Sequence, residues 1–105
     1  MALGLIVCGV GGRMGSAVVR AAAQTAAVRL VAAMDRPGGS RLGKDAGDIS
    51  GAGHLGVEVT DKIQPQLKPD RVIIDFTNPD ASLGYLTVAA QKAVPLLIAT
   101  TGFNS

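Results

Sequence analysis

Gly9-Val10-Gly11-Gly12-Arg13-Met14-Gly15 follows an apolar run, and Asp35 closes the next apolar run twenty positions after Gly15. A glycine-rich turn lets a backbone approach a pyrophosphate, the helix behind it offers unsatisfied N–H groups, and an acid takes ribose hydroxyls. The order of these residue types predicts a dinucleotide site. Met14 stands where G-x-G-x-x-G has its third glycine, so positions 9, 12 and 15 fit a G-x-x-G-x-x-G variant instead. Such turns also arise for steric reasons alone, and the reading rests on the glycines, the flanking strand and helix, and Asp35 taken together. Arg36 is placed to hold a 2′-phosphate bidentately and to offset its repulsion by Asp35, so use of both NADH and NADPH is expected.

Other residues are read more plainly. Asp75 ends an apolar run before Phe76-Thr77 and is expected to bond nearby backbone N–H groups, while Phe76 and Thr77 are candidates for the nicotinamide half. His54 stands alone, without a metal-spaced companion, and is expected to be solvated; no metal is assigned. Cys8, the one cysteine, can form no internal disulfide and reads as a buried, inert thiol. No Ser-His-Asp set or close carboxylate pair is visible, so no catalytic residue is assigned.

These residues need elements to position them. Leu3 to Cys8 is a nearly continuous apolar run, as in a strand buried on both faces, and from Arg13 the apolar spacing becomes helical to about Thr25. Val28 to Met34 reads as the second strand. Arg36 to Leu55 holds six glycines and no clear period, and a long connection that orders only partly without a ligand is expected. A brief strand at Gly56 to Val59 follows, then a short helix from Thr60 to about Leu67 with Thr60 as its cap. Arg71 to Phe76 carries three β-branched residues in a row and is a strand. Asn78 as N-cap and Pro79 at the first helical position start a helix to about Lys92, and Leu96 to Thr100 is the last strand. The alternation predicts one domain over 1–105 with a doubly wound, Rossmann-like α/β fold: a parallel sheet with helices on both faces. Ligands of such sheets lie beyond the strands' carboxyl ends, where the glycine turn, Asp35-Arg36, Phe76-Thr77 and Thr100-Thr101 converge.

Composition narrows the partners. The net charge is +2, the Lys and Arg residues are scattered, and one Tyr, two Phe and no Trp give no stacking platform, so nucleic acid is not expected. No run reaches the roughly 18 apolar residues of a membrane span, no secretion signal is evident, and a cytoplasmic location is the default. The last apolar strand would lie at a sheet edge and invites pairing with another chain, which suggests a truncated domain or one that self-associates there.

The turn Gly9 to Gly15, the segments Leu42-Gly43-Lys44-Asp45-Ala46-Gly47 and Ile74-Asp75-Phe76-Thr77-Asn78-Pro79, and Thr100-Thr101-Gly102-Phe103 together resemble the 4-hydroxy-tetrahydrodipicolinate reductase family, also called dihydrodipicolinate reductase. The resemblance spans essentially the whole chain, in the family's order. It implies reduction of a cyclic dicarboxylate with NADH or NADPH on the route to diaminopimelate and lysine. It would set Gly9, Val10, Gly11, Gly12, Arg13 and Met14 around the pyrophosphate, Asp35 on the ribose and Arg36 near the 2′-phosphate. Phe76, Thr77, Ala99, Thr100 and Thr101 would line the nicotinamide side, with Thr101 also touching substrate. Ala99 stands where the family has glycine. The family's substrate-binding, tetramer-forming C-terminal domain is not in the sequence, so this stretch is expected to bind cofactor without turning over. The competing reading is a non-catalytic NAD- or coenzyme A-binding regulatory domain; Asp35 suits a free adenosine ribose and would repel the 3′-phosphate of coenzyme A. A pure interaction module using the edge strand leaves the glycines unexplained.

Overall fold

The computed structural model describes residues 3–77 and 79–99. Strands form at Leu3–Cys8 (β1), Val28–Met34 (β2), Val59–Thr60 (β3), Arg71–Asp75 (β4) and Leu96–Ile98 (β5). Helices form at Arg13–Ala23 (α1), Ala46–Ser50 (α2) and Pro79–Lys92 (α3). Every strand pairing is parallel and the spatial order is β3-β2-β1-β4-β5. This is the doubly wound architecture expected from the alternation of elements. The order reverses between β1 and β4, which places a crevice beyond their carboxyl ends.

The unbroken apolar run of β1 is explained by burial on both faces. Leu5 and Val7 pack with Val10, Val19 and Ala22 on the α1 side, while Ile6 and Cys8 pack with Met34, Ile73, Ala89 and Val94 on the α3 side. Along β2 the alternation slips. The register to β1 jumps from Leu5↔Leu30 to Ile6↔Ala32, so Val31 is the extra residue of a bulge. Leu30 and Ala33 thereby face the α1 cluster, while Val31, Ala32 and Met34 face the other. The slip keeps Met34 buried at the strand's end, so that its carbonyl accepts from Gly9 N–H at 3.0 Å.

The stretch after Asp35 departs from expectation. It is organised by Asp45, which caps α2 by accepting from Asp48 N–H at 3.0 Å and also accepts from Leu55 and Val57 N–H at 3.0 and 2.9 Å. Val57 C=O in turn accepts from Ala46 N–H at 2.8 Å, and Val59 N–H donates to Lys44 C=O at 2.8 Å. The backbone groups of 57–59 are therefore engaged by residues 44–46, and the third strand is the two residues Val59–Thr60 rather than Gly56 to Val59. The helix expected from Thr60 to Leu67 is a single 3₁₀ turn, Gln64–Gln66. Thr60 Oγ1 accepts from Lys62 N–H in a tight local turn, and Pro65 has no N–H to extend a helix. Smaller differences lie at the ends: α1 stops at Ala23, β4 at Asp75 and β5 at Ile98. The cap residue Asn78, and Thr100 and Thr101, lie outside the described residues.

Candidate functional site

The site begins where β1 ends. Gly9 adopts φ +85°, and a Cβ there would lie 3.1 Å from the carbonyl of Phe76, so the first turn residue must be glycine for the exits of β1 and β4 to touch. A Cβ on Gly15 would overlap the Gly9 carbonyl oxygen and stand 3.1 Å from Val10 Cα; this glycine lets α1 pack directly on the turn. Gly12 has room for a side chain, and its extended backbone suits any residue. Its contribution is different. As N-cap it offers no side-chain acceptor, and no acidic residue stands in the first turn of α1, so the helix's leading N–H groups are left for a ligand. Arg13 and Met14 are exposed there, Met14 at 62%.

Asp35 follows β2 directly beside this turn, its N–H donating to Thr60 C=O at 3.1 Å. Oδ1 of Asp35 accepts from Arg36 N–H at 2.8 Å, whereas Oδ2 is buried and has no hydrogen-bond partner among the described residues. A buried acceptor without a donor is costly unless something completes it. Arg36 is exposed, and its guanidinium has no carboxylate within ion-pair distance among the described residues.

On the other side of the crevice Asp75 is fully buried. Its Oδ1 accepts from both the N–H of Thr77, at 2.9 Å, and the Thr77 hydroxyl, which also stands 3.5 Å from Ser82 Oγ. Asp75 thus fixes the turn after β4, as the backbone-bonding reading expected. Phe76 N–H donates to Cys8 C=O at 2.9 Å, and Ala99 N–H to Asp75 C=O at 2.8 Å. The fold therefore gathers Gly9 to Met14, Asp35, Arg36, Phe76, Thr77 and Ala99 beyond the carboxyl ends of the strands; Thr100 and Thr101 lie outside the described residues. Cys8 is buried beneath them, and desolvation and the neighbouring Asp75 charge push its thiol far above the ordinary range, so it is held as an unreactive thiol.

His54 is solvated as expected, at 72% exposed, but it does not stand alone: Nδ1 lies 3.2 Å from Asp48 Oδ2 and 3.6 Å from Asp45 Oδ2. Asp45 already accepts three backbone N–H bonds, so its carboxylate serves the loop's own backbone. An open groove of about 1030 Å³ runs past the end of α1, the outer edge of β2 and residues 55–58, away from the strand exits.

Sequence reasoning missed one side chain at the crevice. Arg41 extends over the glycine turn so closely that a Cβ on Gly11 would overlap its Nε, Cδ and Cζ. No periodicity or spacing marks Arg41, because a long connection separates it from the turn it covers.

The family model described as dihydrodipicolinate reductase, N-terminus, matches residues 3–105. A 4-hydroxy-tetrahydrodipicolinate reductase of Thiobacillus denitrificans is 47% identical over 104 residues, covering 99% of this chain and 39% of the relative. Proteins of the same name from Brucella abortus and Allorhizobium ampelinum are 42% and 45% identical, covering 98% and 93% of this chain and 38% and 36% of their own length. The chain thus spans less than two fifths of the curated relatives it matches.

Proposed function

The chain belongs to the dihydrodipicolinate reductase family, and from that premise we propose that it is the dinucleotide-binding part of a reductase acting on 4-hydroxy-tetrahydrodipicolinate in diaminopimelate and lysine biosynthesis. The observation that carries this reading is the uncapped N-terminus of α1 behind a turn that must be glycine at 9 and 15, with a donor-less carboxylate oxygen of Asp35 at the neighbouring strand end. These features fit the two polar parts of a dinucleotide. The first N–H groups of α1 take the pyrophosphate, and Asp35 accepts from the adenosine ribose hydroxyls. Arg36 takes the 2′-phosphate when NADPH is bound, and Asp35 suits the free ribose of NADH. Phe76 and Thr77, held by Asp75, together with Ala99, Thr100 and Thr101, line the nicotinamide end, with Thr101 also reaching substrate. When bound, the nicotinamide supplies the hydride.

The cyclic dicarboxylate has to be held over the nicotinamide by groups outside these 105 residues, so the chain alone binds cofactor without measurable turnover. A cytoplasmic location belongs to the same proposal. So does association: β5 is an edge strand with Leu97 58% and Ile98 37% exposed, which suits pairing with a second copy of the chain, and the longer enzyme is read as a homotetramer.

Thermal melting tests the cofactor assignment. NADH and NADPH are expected to raise the melting temperature with rising concentration and coenzyme A to leave it unchanged, because a ligand stabilises only the state it binds. A shift with coenzyme A alone would sink the assignment in favour of a coenzyme A-binding regulatory domain.

A further inference from the structure

The fold lays Arg41 across the glycine turn, its Nε, Cδ and Cζ against Gly11. Its backbone is held there by a chain of turns: Gly39 N–H donates to Arg36 C=O at 3.0 Å, Lys44 N–H to Arg41 C=O at 3.1 Å and Gly43 N–H to Val59 C=O at 2.9 Å. The same segment seats Gly39 against Asp35, where a Cβ would lie 2.8 Å from Asp35 Cγ and overlap the donor-less Oδ2. Residues 36–41 therefore touch both polar parts of the crevice. The Arg41 guanidinium has no carboxylate partner among the described residues, and its exposed side chain lies over Gly11. The face of Gly11 that lacks a Cβ is where a backbone admits a pyrophosphate. A cation resting at that place with no counter-ion is electrostatically suited to one kind of ligand group, a phosphate.

We propose that Arg41 is a pyrophosphate-binding residue: its guanidinium rests on Gly11 in the free chain and turns to pair with the pyrophosphate when a dinucleotide enters. This deepens the dinucleotide reading above and rests on it. The charge comes from the segment after Asp35, whose turns already hold the Arg41 backbone beside the glycine turn. Arg36 and Arg41 then divide the phosphates between them. Arg36 reads the 2′-phosphate that only NADPH carries, and Arg41 the pyrophosphate that both cofactors share.

Calorimetric titration of the 105-residue chain with NADH and with NADPH separates these roles. Arg41→Ala is expected to weaken both cofactors alike, by about ten-fold, as loss of a charge-assisted hydrogen bond at an exposed site implies. It is also expected to flatten the dependence of Kd on salt, and Arg41→Lys is expected to recover part of both effects. Melting of the variant without ligand should match the parent, because the side chain is exposed. Unchanged affinity, tighter binding, or a loss confined to NADPH would each overturn the assignment. Failure of the parent chain to bind either cofactor would instead overturn the dinucleotide reading itself.

Discussion

At the scale of single residues, Asp35 and Arg36 make opposite demands on the adenosine end of a cofactor. The carboxylate favours a free ribose, and the guanidinium favours a phosphorylated one. Arg36→Ala is expected to weaken NADPH by roughly ten- to a hundred-fold, the range for a lost charged hydrogen bond, and to leave NADH within about two-fold. Equal losses in a fluorescence titration would remove Arg36 from the 2′-phosphate. The glycines differ in kind. Gly15→Ala forces a methyl onto the Gly9 carbonyl and is expected to cost about 1–3 kcal/mol by thermal melting. Gly12→Ala, whose Cβ would stand in ordinary contact 3.6 Å from the Gly9 carbonyl oxygen, should melt close to the parent. Sequence spacing singled out 9, 12 and 15 as equivalent. Only the packing of α1 on the turn distinguishes the two glycines that are sterically required from the one that leaves a helix uncapped.

Among the elements, β1, α1, β2 and β4 were legible because each announces itself through local pattern: an unbroken apolar run, a helical spacing, or three β-branched residues together. The Val31 bulge was not, since it shows only in the register between strands. The segment from Arg36 to Thr60 was also opaque, because its order comes from bonds between distant residues, Asp45 to Leu55 and Val57 above all, which leave no period in the chain. Its stability should follow pH. Burial pushes the Asp45 carboxyl up, but the N–H groups of Leu55, Asp48 and Val57 and the nearby His54 outweigh it and hold the group at about 2, against 3.8 ordinarily. Asp45 thus stabilises the segment fully above pH 3.8, and that contribution is lost as pH falls towards 2. The hydrogen bond to Asp48, then the charges of Asp45 and Asp48, raise His54 above its ordinary 6.5, so its contribution is complete below 6.5 and lost as pH rises through the raised value. Amide-exchange protection of Leu55 and Val57 is expected to fall at both ends of this range. In His54→Gln the alkaline fall should vanish while the acid fall stays; persistence of both would detach His54 from the segment.

The whole molecule joins a buried central strand to two unlike edges. β3 is two residues long and offers little to pair with, whereas β5 presents the exposed Leu97 and Ile98. Sedimentation is expected to show concentration-dependent association that Leu97→Lys reduces, since an edge charge opposes strand pairing; a monomer at every concentration would contradict this use of β5. The crevice, by contrast, is formed within one chain, from the exits of β1, β2 and β4. Its occupancy is the central claim, and amide chemical-shift mapping during an NADH titration tests it most directly. Perturbations are predicted to saturate together at Gly9 to Gly15, Asp35, Arg36 and Thr77. Shifts confined to the groove beside Ala22 to Thr25 and Glu58, or no saturable shifts at all, would contradict it.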